Sequence, residues 1–178
     1  ADASDLSSAV SDSVRVQIPP PVPNKPHREW MEMERRNEYL ELQKKHQKEL
    51  EEFPIAYAFN DQQLEEALKK LGATKEECVT VFDHGDIVKR ENARPFVKML
   101  EDQREEMLQK IKDDADFAEA AFLYEMDNHE YAINWSGDED VLACFGLTFE
   151  KINQWGLQMA WNRARDRHME HAREWDMI

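Results

Sequence analysis

Glu125 and His129 stand four residues apart, so on a helix they share one face, and a carboxylate beside an imidazole is a pairing that divalent metals use. They lie in YEMDNHEYAINWSGDEDVL, Tyr124 to Leu142. Asp127 and Glu130 leave such a helix on other sides, so further ligands would have to come from Asp138, from Asp140, or from the pair His168 and His171. The chain contains neither a His-Glu-x-x-His pattern nor a calcium loop of alternating Asp/Asn with a central glycine. Without a complete ligand set, the simpler reading of His129 is a structural histidine held by its neighbouring carboxylate beside a buried stripe.

Nucleophilic chemistry has less to work with. Cys78 and Cys144 sit in apolar strand and helix contexts, where a thiol is expected to be a small, inert core residue. No Gly-x-Ser-x-Gly elbow and no phosphate-cradling glycine loop occur among five glycines. No catalytic residue is assigned and no cofactor is expected, so the sequence leans away from an enzyme.

Charge is the stronger signal. The 178 residues carry a formal net charge of −15. Residues 51–148 hold 24 acids against 10 bases, and no Lys or Arg occurs between Lys112 and Lys151. A surface of that sign repels nucleic-acid phosphates and anionic lipids and attracts basic proteins. The residues expected to meet a basic protein partner are Asp113, Asp114, Asp116, Glu119, Asp127, Glu130, Asp138, Glu139 and Asp140. The competing reading is a solvated face partly balanced by Arg163, Arg165, Arg167 and Arg173 folding back on it.

The elements that must carry these groups read as α+β, mostly helical. Residues 1–26 are a flexible Pro-rich tail, extended through IPPPVPNKP. Residues 27–52 form a charged helix with Tyr39, Leu42, Leu50 and Phe53 on one side and a weaker stripe of Trp30, Met33 and Leu40. Residues 53–152 make a compact acidic α+β domain, and residues 153–178 belong to an Arg/Trp-rich C-terminal helix. Within the domain, FPIAYAF predicts a buried strand, and Asn60 with Gln63 predicts a capping box on a helix ended by Gly72. CVTVF and DIVKR predict a tight hairpin around Asp83-His84-Gly85, with His84 exposed at its tip.

Asn92 is expected to open the next helix, with Pro95 in its first turn, and the run DDAD to end or interrupt it. A following helix should bury Phe117, Ala120, Ala121, Tyr124, Asn128 and Tyr131, with Glu125 and His129 beside that stripe. Ser136 and Glu139 predict a second capping box, and Thr148, with Leu147 and Ile152 as a staple, predicts the start of one long final helix.

AFNDQQLEEALKKLG (Ala58 to Gly72), the hairpin after it, YEMDNHEY (Tyr124 to Tyr131) and the run from Leu142 to Thr148 ending FGLT together resemble a family of small uncharacterised proteins. These are encoded on phages and mobile elements of gut bacteria. The likeness covers about residues 53–152 and implies a compact α+β domain in a mobile-element context, with no activity to carry over. The single glycine of Asp83-His84-Gly85 departs from the Gly-rich turn of that family.

Three functional expectations follow. The first is a non-enzymatic, acidic accessory protein of a phage or mobile element that binds a basic protein, even as a mimic of DNA phosphates. The second is a phage structural or assembly component that uses residues 1–52 to join an oligomer or virion subunits. The third is a metal-dependent enzyme using Glu125 and His129. Direct nucleic-acid and membrane binding are not expected, and a cytoplasmic location in a bacterial host, or a virion, fits the composition.

Overall fold

The computed structural model describes residues 25–82, 84–134 and 136–178, with side chains from Met33 onward. The Pro-rich tail over residues 1–24, the Trp30 side chain and the Asp83 tip of the hairpin lie outside the described residues. The described chain runs α1 (Lys25–Glu52), β1 (Ile55–Tyr57), α2 (Asp61–Leu71), a 3-10 turn (Lys75–Glu77), β2 (Cys78–Val79), β3 (Asp86–Lys89), α3 (Arg90–Asp113), α4 (Ala115–Asn128), α5 (Gly137–Phe145), α6 (Phe149–Gln154) and α7 (Gln158–Glu174). It is a mostly helical α+β fold with a three-stranded antiparallel sheet of order β1-β3-β2. None of the described helices is long and apolar enough to cross a membrane.

Helix α4 is the centre. Its sequence ADFAEAAFLYEMDN holds a single small-residue edge and apolar groups on nearly every side, so it buries Phe117, Ala118, Ala121, Phe122, Leu123, Glu125 and Met126. Helix α7 packs along one flank and α1 along another, and Tyr39, Leu42, Trp161 and Ala164 from these two helices enter the same core as Phe122, Val141 and Phe145. The flanking helices at 27–52 and 153–178 thus share the core of the segment between them. Phe122 meets Phe145 and Trp161 edge to face at 5.5 and 5.2 Å, an arrangement favoured by aromatic quadrupoles. The sheet has smaller cores of its own. Ala56, Cys78 and Ile87 pack against Ala67 of α2, and Ile55 and Val88 pack against Phe96 of α3.

Several expectations hold in atomic detail. Asn60 caps α2 by accepting from the Gln63 amide and Gly72 closes it at φ 58°, while the reciprocal bond of the expected capping box is shifted by one residue, the Gln63 side chain accepting from Phe59 N–H instead of Asn60 N–H. His84 is exposed. DDAD is an interruption: Asp114 terminates α3 and its carboxylate caps α4 by accepting from the Asp116 and Phe117 amides. Thr148 caps α6 by accepting from Lys151 N–H, and Leu147 and Ile152 are both buried.

Others need correction. The hairpin is not tight, because the buried Asp86 carboxylate takes the amides of Val81 and Phe82 and cuts β2 to two residues. Helix α3 starts at Arg90, directly out of β3, so Asn92 is no cap and Pro95 falls inside the helix. Ser136 makes no capping bond; its hydroxyl instead pairs with Asn134 and Asp140. The long final helix breaks into α6 and α7 where Gly156 adopts φ 70°. Asn128 is exposed and Tyr131 lies beyond the end of α4, whose buried surface is instead filled by Phe122, Leu123, Glu125 and Met126. Cys144 is exposed rather than a core residue.

Candidate functional sites

Glu125 is the most unusual group in the core: a carboxylate with 4% of its surface exposed. Burying a carboxylate is costly unless hydrogen bonds replace its water, and α1 supplies them. Tyr39 Oη donates to Oε1 at 2.5 Å, and Gln43 Nε2 donates to the same oxygen at 3.2 Å. Gln43 lies one turn after Tyr39 and also donates to the tyrosine oxygen at 2.7 Å, which fixes both side chains against α4. Burial, with the hydrogen bond to Glu125 next, pushes the Tyr39 phenol far above its ordinary value, so it remains a donor.

The second oxygen faces outward. Oε2 accepts from Asn128 Nδ2 at 3.3 Å and lies 3.6 Å from His129 Nε2. His129 ends α4, and α5 packs back on α4 so that Cys144 Sγ lies 3.2 Å from the same imidazole nitrogen. One carboxylate oxygen, one imidazole nitrogen and one sulfur therefore lie within 4.8 Å of one another. Partial desolvation of the sulfur against His129 and Glu125, and then the Glu125 charge, push the thiol of the otherwise exposed Cys144 up to about 11.

The remaining candidate ligands go elsewhere. Asp138 accepts from Tyr131 Oη at 2.6 Å. Asp140 accepts from Asn134 and Ser136, and these bonds hold its carboxyl below the usual range. His168, fully buried on α7, forms a separate knot with α4. Its Nε2 accepts from the Ala132 amide at 3.0 Å, so Nδ1 carries the ring proton and donates to Asp127 Oδ1 at 2.8 Å. His171 adds a second contact to Asp127 at 3.1 Å and stacks near Trp175. The pair His168 and His171 anchors α7 to α4 and lies apart from the Glu125 group.

The nine carboxylates expected to meet a partner are not one continuous array. Asp116 and Glu119 both pair with Arg163, so one arginine of the C-terminal helix does fold back on the acidic segment. Asp127, Asp138 and Asp140 are held as described. Glu130 and Glu139 have no side-chain hydrogen bond or ion pair among the described residues. Asp113 accepts from Gln109 and Asp114 pairs with Arg35, and both also line a furrow between α1 and α3.

That furrow exists because α1 and α3 meet through long polar side chains rather than close packing. Glu106 receives Lys45 at 2.7 Å and His46 at 2.9 Å, Gln103 reaches the His46 carbonyl and Glu49, and Lys110 lies 3.7 Å from Glu38. One section of about 610 Å³ is lined by Met33, Glu34, Asn37, Glu38, Glu41, Leu42, Lys45, Glu106 and Lys110. A second of about 300 Å³ shares Glu106 and Lys110 and continues to Asp113, Asp114 and Phe117. Six carboxylates and two ammonium groups thus line the furrow around Met33, 57% exposed, and the buried Leu42 and Phe117, while Arg35 pairs with Glu38 and Asp114 and Lys44 with Glu41 from the rim. The contribution of α1 to this feature was hidden in the sequence by the near neutrality of residues 27–50.

No curated protein and no solved structure matches the chain. Residues 38–167 match the model described as Family of unknown function (DUF7659), a span that extends beyond 53–152 at both ends to take in the inner part of α1 and most of α7, the helices that complete the core around α4. With well over half of its length matched, the chain belongs to the DUF7659 family.

Proposed function

We propose that the chain is a non-enzymatic docking protein for a basic, amphipathic protein segment, serving as an accessory protein of a phage or mobile element. The observation that carries this reading is the α1/α3 furrow, where Met33 and Leu42 are bordered by six carboxylates against the ammonium groups of Lys45 and Lys110 inside and Arg35 and Lys44 at the rim. A segment with apolar residues on one face and Lys or Arg beside them would bury Met33 and the small exposed edge of Leu42. Its cations would meet Glu34 at the border and compete with Lys44 for Glu41 and with Gln109 for Asp113, all exposed contacts, where complementarity speeds encounter and rejects acidic competitors. A phosphate-mimicking surface over residues 113–140 has less support, because Asp116, Glu119, Asp127, Asp138 and Asp140 are occupied by internal partners.

The test uses two helical peptides of equal hydrophobicity, one with lysines and one with glutamates beside its apolar face. The lysine peptide should bind the full chain with an affinity that falls steeply with salt, and the glutamate peptide should not bind. Glu34→Lys combined with Asp113→Lys should remove most of that affinity while leaving the fold intact, since Glu34 and Asp113 are exposed. Equal binding of both peptides, or no change in the double variant, would count against the furrow.

A further inference from the structure

Away from the furrow, Glu125, His129 and Cys144 bring together three donor types that zinc-class cations prefer, on two elements that the chain folds against each other. Their spacing is close to what a tetrahedral ion needs. Bond lengths of about 2.0–2.1 Å to nitrogen and oxygen and about 2.3 Å to sulfur put ligand atoms roughly 3.3–3.6 Å apart around such an ion. Two of the separations are 3.6 Å between Oε2 and Nε2 and 3.2 Å between Nε2 and Sγ, and the third pair lies within 4.8 Å, so a small side-chain shift would close the set around an ion.

The surroundings also suit a cation. Glu125 is 4% exposed, and among the described residues its side chain meets a phenol, two amides, His129 and the Cys144 thiol, with no lysine or arginine ion-paired to it. A divalent ion would supply the positive charge that the segment between Lys112 and Lys151 lacks entirely. Tyr39 and Gln43 hold Oε1 and thereby aim Oε2 at His129, the kind of outer support that fixes a ligand carboxylate. Cys144 is exposed and His129 about one-third exposed, so an ion has a path from solvent and a fourth position for water.

We propose that Glu125, His129 and Cys144 form a binding site for a zinc-class divalent cation that joins the end of α4 to α5, with water completing the coordination. Binding converts the Cys144 thiol to a metal-bound thiolate and releases its proton to solvent, with no change in oxidation state. The inference is independent of the docking furrow, whose residues are on α1, α3 and the start of α4.

Cobalt(II) is the probe, titrated into the full chain after chelator treatment under reducing conditions. The expected result is binding of one equivalent with a thiolate-to-cobalt charge-transfer band, displacement of cobalt by zinc, and a rise in melting temperature. Cys144→Ser should abolish the band, and His129→Gln should weaken binding at least tenfold. Both positions are solvent-accessible, so these variants stay folded where Glu125→Gln in the core need not. Absence of the charge-transfer band in the wild type, its persistence in Cys144→Ser, or unchanged affinity in His129→Gln would each overturn the proposal.

Discussion

The Tyr39 hydroxyl on α1 donates a 2.5 Å hydrogen bond to the buried Glu125 carboxylate on α4, joining residues 86 positions apart. Tyr39 is 1% exposed and also packs edge-on to Phe117 and Tyr124, so it ties the charged outer helix to the central one through both its ring and its oxygen. Tyr39→Phe keeps the ring and removes the donor, leaving Oε1 to Gln43 alone. The variant should lose about 1–3 kcal/mol in urea unfolding, the cost of an under-satisfied buried charged group. A loss below a few tenths would mean that water or Gln43 replaces the bond.

His168 should matter more than any surface histidine. His168→Ala strips the Ala132 amide of its acceptor and Asp127 of its closest donor in a fully buried position. A loss of about 3 kcal/mol is expected from the unpaired groups and the cavity together. His84→Ala, at an exposed turn, should stay within about 0.5 kcal/mol by the same measurement.

Glu106 provides the pH-dependent prediction. The hydrogen bond from Lys45, and then that from His46, holds its carboxyl below the ordinary value of 4.5. A carboxyl with a depressed folded-state value stabilises the protein above its unfolded value and loses that contribution as pH falls through the folded one. Since the Glu106 side chain is 41% exposed, solvent screening limits the effect to less than about 1 kcal/mol at pH 7. Paired urea titrations of the wild type and Glu106→Gln should show this gap at neutral pH and its closure in acid. A gap that widens in acid would contradict the assigned ion pair.

The break between α6 and α7 rests on one residue. Gly156 adopts φ 70°, and a Cβ there would meet no atom within 4 Å. Gly156→Ala should therefore cost about 1 kcal/mol from backbone strain alone, read as a fall in melting temperature. At Gly137 a Cβ would come within 2.7 Å of the Tyr131 ring, so Gly137→Ala should additionally disturb the Tyr131–Asp138 bond.

These particulars show what the sequence made legible. Local signals carried furthest: Asn60, Gly72, Asp114 and Thr148 act within four residues of their partners, and each does what its type and position suggest. Pattern also located the strands and the pairing of Glu125 with His129. Failures came where a distant or unpaired side chain decided the outcome. Asp86 shortens β2 by taking the amides of Val81 and Phe82, and Ser136 turns to Asn134 and Asp140 instead of capping. Gly156 was read through as helix because the apolar spacing continues on both sides of it. The donor set at Glu125 was incomplete because Cys144 carries no spacing signature relative to His129; only the return of α5 brings them together. The furrow was invisible because it is made by two helices that are separate in sequence and balanced or acidic in charge for different reasons.

The docking reading is tested most directly by following the backbone amide resonances of the full chain while a lysine-bearing amphipathic peptide is added at low salt. Saturable shifts confined to the furrow, at Met33, Asn37, Glu41, Lys110 and Asp113, are expected, and they should disappear at high salt. Shifts centred instead on Glu130 and Asp138–Asp140, or none at saturating peptide, would contradict it.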